Sequence, residues 1–103
     1  MPITARIPRA GKPGLEFSGQ IDRVAILGDE VLLVDYKTNR PPPERPEDVA
    51  PLYLRQLAAY RYALGQIYPE KKVRAALLWT EGARIMVLPD ALLDAAMARI
   101  VTL

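Results

Sequence analysis

The sequence predicts an α/β domain, a mixed β-sheet flanked by helices, and three observations carry that expectation. Two apolar runs, residues 21–27 and 31–34, meet at Gly28-Asp29, a pair that favours a tight hairpin turn. Residues 52–67 repeat Leu54, Leu57, Ala58 and Leu64 at helical spacing, and Pro69 closes the element. Residues 72–80 and 84–88 then read as two further strands joined through Glu81-Gly82.

Taken in order, residues 3–8 and 15–18 read as short strands on either side of a Pro-Gly segment, residues 8–14, in which Gly11 and Gly14 supply the turn. The central hairpin follows. Its second run, Val31-Leu32-Leu33-Val34, has no charge and the first is almost as apolar, so both are expected to be buried on two faces. Pro41, Pro42, Pro43, Pro46 and Pro51 interrupt any regular element across residues 39–51, which read as a solvated connector carrying Arg40, Glu44, Arg45, Glu47 and Asp48. On the strand of residues 72–80, Val73, Ala75, Leu77 and Trp79 share one parity, and Trp79 is expected in the core rather than as a base-stacking platform. Pro89-Asp90 opens a last amphipathic helix with Leu92, Leu93, Ala96 and Ile100 inward.

With 103 residues, half hydrophobic and a quarter charged, the chain is expected to form one globular domain. The net charge of +2 is mildly basic, a balance that permits nucleic-acid binding. The absence of cysteine excludes disulfides, a thiolate zinc site, a cysteine nucleophile and an iron–sulfur cluster. No G-x-x-x-x-G-K-[ST] string occurs, so no P-loop binds ATP here. There is no signal peptide and no apolar run approaching the ~18 residues of a membrane span, so a soluble, cytoplasmic protein is expected.

The charges at the ends of the central strands carry the chemistry. If Gly28-Asp29 is the turn, Leu27 pairs with Glu30 and the same register brings Asp22 opposite Asp35. Lys37 lies two residues beyond Asp35 and so on the same face. Opposed residues have Cβ atoms roughly 4.5–5.5 Å apart, and like charges at that separation destabilise a sheet. A hard divalent cation would neutralise the pair, because magnesium takes one or two protein carboxylates and keeps waters and substrate phosphates. Read without the metal, the same residues are an ion-pair cluster, Asp22 with Lys37 and Asp35 with Arg23. Gln56 and Tyr60 lie four apart, on one face of the helix that follows.

Three blocks stand in order: G-x-x-D-R at residues 19–23, V-D-Y-K-T at residues 34–38 and Q-L-A-A-Y at residues 56–60. Their order resembles the RecB-type branch of the PD-(D/E)XK nucleases, over about residues 15–88. The continuation Asn39-Arg40-Pro41-Pro42-Pro43 is most similar to the carboxy-terminal nuclease domain of AddA-type subunits of double-strand-break repair helicase-nucleases. The resemblance implies a restriction-endonuclease-like fold and a magnesium-dependent exodeoxyribonuclease, with manganese as a possible substitute metal. It implies action on single-stranded or unwound DNA in repair and recombination. A second helicase-nuclease subunit would be the partner, with ATP used only in the parent helicase region.

Residue by residue, Asp22 and Asp35 would be metal ligands together with the backbone carbonyl of Tyr36. Lys37 would activate the attacking water and stabilise charge on the phosphate, and Gln56 and Tyr60 would complete the site from the helix. Restriction-type and junction-resolving endonucleases share the Asp and D-x-K parts, but the Gln56–Tyr60 block argues against both. The family's upstream helices carry a histidine or acidic ligand, whereas this chain has no histidine and only Glu16 as a carboxylate before Asp22. Residues 1–103 are therefore expected to be the core of such a domain without its amino-terminal helices. A non-catalytic DNA-binding or scaffolding domain that retains the nuclease fold is the competing expectation, and metal binding separates the two.

Overall fold

The computed structural model describes residues 1–39 and 41–103; Arg40, which the sequence places in the proline-rich connector, lies outside the described residues. The element order is β1 (Pro2–Arg9), β2 (Lys12–Gln20), β3 (Arg23–Leu27), β4 (Glu30–Lys37), α1 (Pro51–Ile67), β5 (Lys72–Trp79), β6 (Arg84–Val87) and α2 (Asp90–Val101). β1 and β2 form a two-stranded antiparallel sheet, and the other four form a sheet in the order β3-β4-β5-β6. Only β4 and β5 are parallel. Parallel neighbours need a long crossover, and α1 supplies it.

The amino-terminal hairpin is longer than the sequence suggested. The chain reverses at Ala10-Gly11 alone, with Gly11 at φ 70°, rather than through the whole of residues 8–14. Pro8 sits where the register slips between Ile7 and Arg9, an irregularity that needs no ladder donor and so tolerates proline. Glu16 pairs with Arg6 on the exposed surface of this hairpin, away from the other acidic residues of interest.

The second hairpin turns at Gly28-Asp29 as expected, with Gly28 at φ 60° and Leu27 paired with Glu30. The burial of β3 is a correction. β3 is an edge strand with Ile26 and Leu27 more than half exposed at 54 and 58%, whereas β4 lies between two strands and buries Val31, Leu33, Val34 and Asp35. An apolar run shows that a strand has buried neighbours, but it does not order the strands within the sheet.

α1 packs against β1, β4, β5 and α2, burying Leu54, Leu57, Ala58, Ala63 and Leu64. Val31, Leu33 and Asp35 of β4 share a face with Val73, Ala75 and Leu77 of β5 by register. Trp79, at the end of β5, is fully buried in the core, as expected. Within the expected connector, Pro46–Asp48 forms one turn of 3-10 helix, and Pro51 takes the first position of α1, where its missing N–H costs nothing. α2 buries Leu93, Ala96 and Ile100 and is joined to α1 by Arg61, which contacts Asp94 at 2.5 Å and Asp90 at 3.5 Å. No helix among the described residues is long and apolar enough to cross a membrane.

Candidate active site

The two sheets meet at a corner, and the corner creates the site. Ile21 exchanges hydrogen bonds with Met1: its N–H donates to the Met1 carbonyl at 2.8 Å, and the Met1 amine donates to the Ile21 carbonyl at 2.7 Å. Arg23, two residues on, is already paired with Val34 in the second sheet. Asp22 therefore belongs to neither ladder, and its carboxylate is free to accept the Tyr36 N–H at Oδ2, 2.8 Å away. In a strand the N–H and C=O of one residue point the same way. The Tyr36 carbonyl is thus turned towards Asp22, beyond the point where β3 can pair with it.

Asp35 is only 4% exposed, the sole buried charged residue among those described. Burial pushes its carboxyl above the ordinary range and the Asp22 carboxyl beside it adds to the rise, both opposed by Lys37. Asp22 moves the other way, held below the ordinary range chiefly by the Tyr36 N–H, with Asp35 and Lys37 as smaller contributors. Of the two adjacent carboxyls, Asp35 is the one that favours the proton. Lys37 Nζ lies 2.6 Å from Asp35 Oδ2. This charge-assisted contact is the one that opposes the rise in the Asp35 carboxyl.

The Lys37 ammonium also donates to Gln56 Oε1 at 2.9 Å, and Gln56 Nε2 donates to the Tyr60 hydroxyl at 3.3 Å. Tyr60 is buried at 4% exposure, its ring tilted against Phe17 of β2 with centroids 6.3 Å apart. Gly19 makes that position possible. A Cβ at residue 19 would lie 2.5 Å from the Tyr60 hydroxyl and 2.7 Å from a ring carbon. The last turn of the strand is fixed from the far side, where the Thr80 N–H and hydroxyl both donate to the Lys37 carbonyl, at 2.9 and 3.2 Å.

All the expected site residues are thus drawn into one continuous arrangement: Asp22, Asp35 and the Tyr36 backbone, then Lys37, Gln56 and Tyr60. The alternative pairing of Asp22 with Lys37 and Asp35 with Arg23 is not the one adopted. Lys37 pairs with Asp35, and Arg23 shares a face with Val34 rather than Asp35. One neighbour escaped the sequence reading: Tyr53, whose ring centroid is 4.3 Å from Lys37 Nζ. Its signal was the same helical spacing that marked Gln56 and Tyr60, extended one turn back.

Two carboxylates, the Asp35 one buried and facing the single ammonium of Lys37, and a backbone carbonyl make an all-oxygen donor set that fits a hard divalent cation. Among the described residues no cluster of three or more acidic, histidine or cysteine side chains is present.

Comparison with known proteins bears on the same residues. A family model described as the PD-(D/E)XK nuclease superfamily matches residues 2–98, a span that includes both sheets, α1 and every side chain of the site. No curated protein matches the chain.

Proposed function

The chain belongs to the PD-(D/E)XK nuclease superfamily, and on that premise we propose that it is a metal-dependent deoxyribonuclease module hydrolysing phosphodiester bonds in single-stranded or unwound DNA. Within the superfamily we assign it to the RecB-type branch, as the exonuclease part of a helicase-nuclease acting in double-strand-break repair and recombination. A second subunit would be its partner, and ATP would be used elsewhere in the parent protein. One observation carries the reading: Lys37 touches both Asp35 and Gln56, so blocks distant in sequence converge on one ammonium. The Gln56–Tyr60 pair, absent from the restriction-type pattern, supports the RecB-type branch.

Asp22, Asp35 and the Tyr36 carbonyl are the groups that would hold magnesium, with manganese as a substitute. The ion supplies charge at the phosphate and a water acidic enough to lose a proton at neutral pH. Asp22 is kept ionised by the Tyr36 N–H and offers full negative charge at the corner between the sheets. Lys37 is held at the rim of the acidic pair, where its protons can reach a phosphate oxygen as charge develops there and orient the attacking water. Gln56 Oε1 accepts a hydrogen bond from the ammonium at 2.9 Å and fixes its position on the helix side. Tyr60 fixes the Gln56 amide, and Gly19 leaves room for Tyr60.

Calorimetric titration with magnesium and with manganese tests the assignment. The wild-type protein should bind the metal and gain thermal stability by mass action, about 2.7 kcal/mol at a hundredfold excess over Kd. The Asp22→Ala/Asp35→Ala variant should show neither response. Identical heats in wild type and double variant would remove the metal site, and would favour a scaffold that keeps only the fold.

A further inference from the structure

We infer that Tyr53 is a positioning residue for Lys37, its ring acting as the third wall of the ammonium site. The inference rests on the reading of Lys37 as the group that acts on phosphate and water. The Tyr53 ring centroid lies 4.3 Å from Lys37 Nζ, within the distance at which a cation is attracted to an aromatic face. Asp35 Oδ2 at 2.6 Å and Gln56 Oε1 at 2.9 Å are the other two walls. A lysine stem has four rotatable bonds, so two polar contacts alone leave the ammonium free to swing towards solvent. A ring face on a third side closes that escape and takes up no proton of the ammonium, which keeps its donors for a phosphate or a water.

The ring itself is held at both ends. Its backbone is in the first turn of α1, and its hydroxyl donates to Asn39 Oδ1 at 3.2 Å, two residues past Lys37. Tyr53, Gln56 and Tyr60 stand at helix positions that share a face, so one helix presents the ring, the amide and the amide's own anchor together. Tyr53 is half-buried and touches none of the acidic residues through a hydrogen bond or ion pair among those described. Its action is therefore on where Lys37 stands, not on the metal-binding pair.

Three variants and two readouts test this. In proton NMR the Lys37 ε-methylene resonances should lie upfield of those of exposed lysines, because the methylene is bonded to the Nζ that lies over the ring. Tyr53→Phe keeps the ring and should keep that shift, and Tyr53→Leu should abolish it. In single-turnover cleavage of single-stranded DNA at saturating substrate and magnesium, Tyr53→Leu should lower the rate about tenfold. KM and the calorimetric metal affinity should stay unchanged, and Tyr53→Phe should restore most of the rate. A Tyr53→Leu rate equal to wild type would overturn the inference, as would Tyr53→Phe being as slow as Tyr53→Leu, since the Asn39 contact rather than the ring would then matter. Lys37→Ala distinguishes the premise from the inference. If that variant cleaves normally the role of Lys37 is wrong, while the methylene shift still reports whether the ring holds it.

Discussion

Lys37 and Asp35 set the electrostatics of the site at the scale of single residues. Folding raises the Asp35 carboxyl above its ordinary 3.8, so the folded state binds that proton more tightly than the unfolded chain does. The contribution to metal-free stability is fully present below 3.8 and declines as pH rises through the folded Asp35 value. Asp22 has the opposite sign. Its value is lowered, so its stabilisation is present above 3.8 and is lost as pH falls through the folded Asp22 value. The two windows lie on opposite sides of 3.8 and can be separated. In metal-free urea titrations across pH, Asp35→Asn should gain on wild type steadily as pH rises above 3.8, because the amide has no charge to bury. A difference that stays level or shrinks over that range would mean that Lys37 fully compensates Asp35 in the folded state. Asp22, expected opposite Asp35 in the ladder, lies outside both ladders and reaches the Tyr36 N–H instead, whereas the face shared by Asp35 and Lys37 followed from strand alternation alone. The burial of Asp35 did not, because it depends on α1 lying over that strand, and no local pattern states what covers a strand end.

At the scale of elements, the site is a contact between the end of β4 and one face of α1, with β2 against the Tyr60 end of that same face. Gly19 is the point where β2 yields to the helix. Its φ is not in the left-handed region, so alanine there carries no backbone strain, and any cost comes from the Tyr60 hydroxyl and ring. Gly19→Ala should cost about 1–3 kcal/mol, the usual range for forcing extra volume into a packed site. It should also slow cleavage by displacing Tyr60 and, through it, Gln56. Chemical denaturation checks the first effect, and a variant as stable as wild type would show that the ring moves aside freely. Helix α1 was legible because its apolar residues recur regularly and prolines stand at both ends. The strand lengths of the first hairpin were not, since Pro8 and Pro13 read as breakers and the chain accommodates Pro8 at a register slip. The edge position of β3 was also hidden, because apolar content alone does not say which strand is flanked on both sides.

For the molecule as a whole, two sheets share one core, and the break between them positions Asp22 in the candidate site. The chain leaves its pairing with β1 at Ile21 and enters pairing with β4 at Arg23, which places Asp22 at the open end of β3 with the Tyr36 N–H and carbonyl facing it. A continuous sheet would have paired those backbone groups and left no donor set. This division into two sheets was not legible in the sequence. The residues around Asp22 show no turn signal, and the switch depends on which strand each segment meets. In the proposed function the acidic pair and Lys37 form a hydrolytic site in which the lysine acts on the phosphate and water rather than on the metal. Single-turnover cleavage of end-labelled single-stranded DNA by Lys37→Ala, with magnesium affinity measured on the same preparation, tests it most directly. Lys37→Ala should retain metal binding and cleave at a rate lower by about a hundredfold or more, the usual contribution of a group acting in the transition state. A variant that retains more than about a tenth of the wild-type rate would contradict it, as would one that loses metal binding along with cleavage.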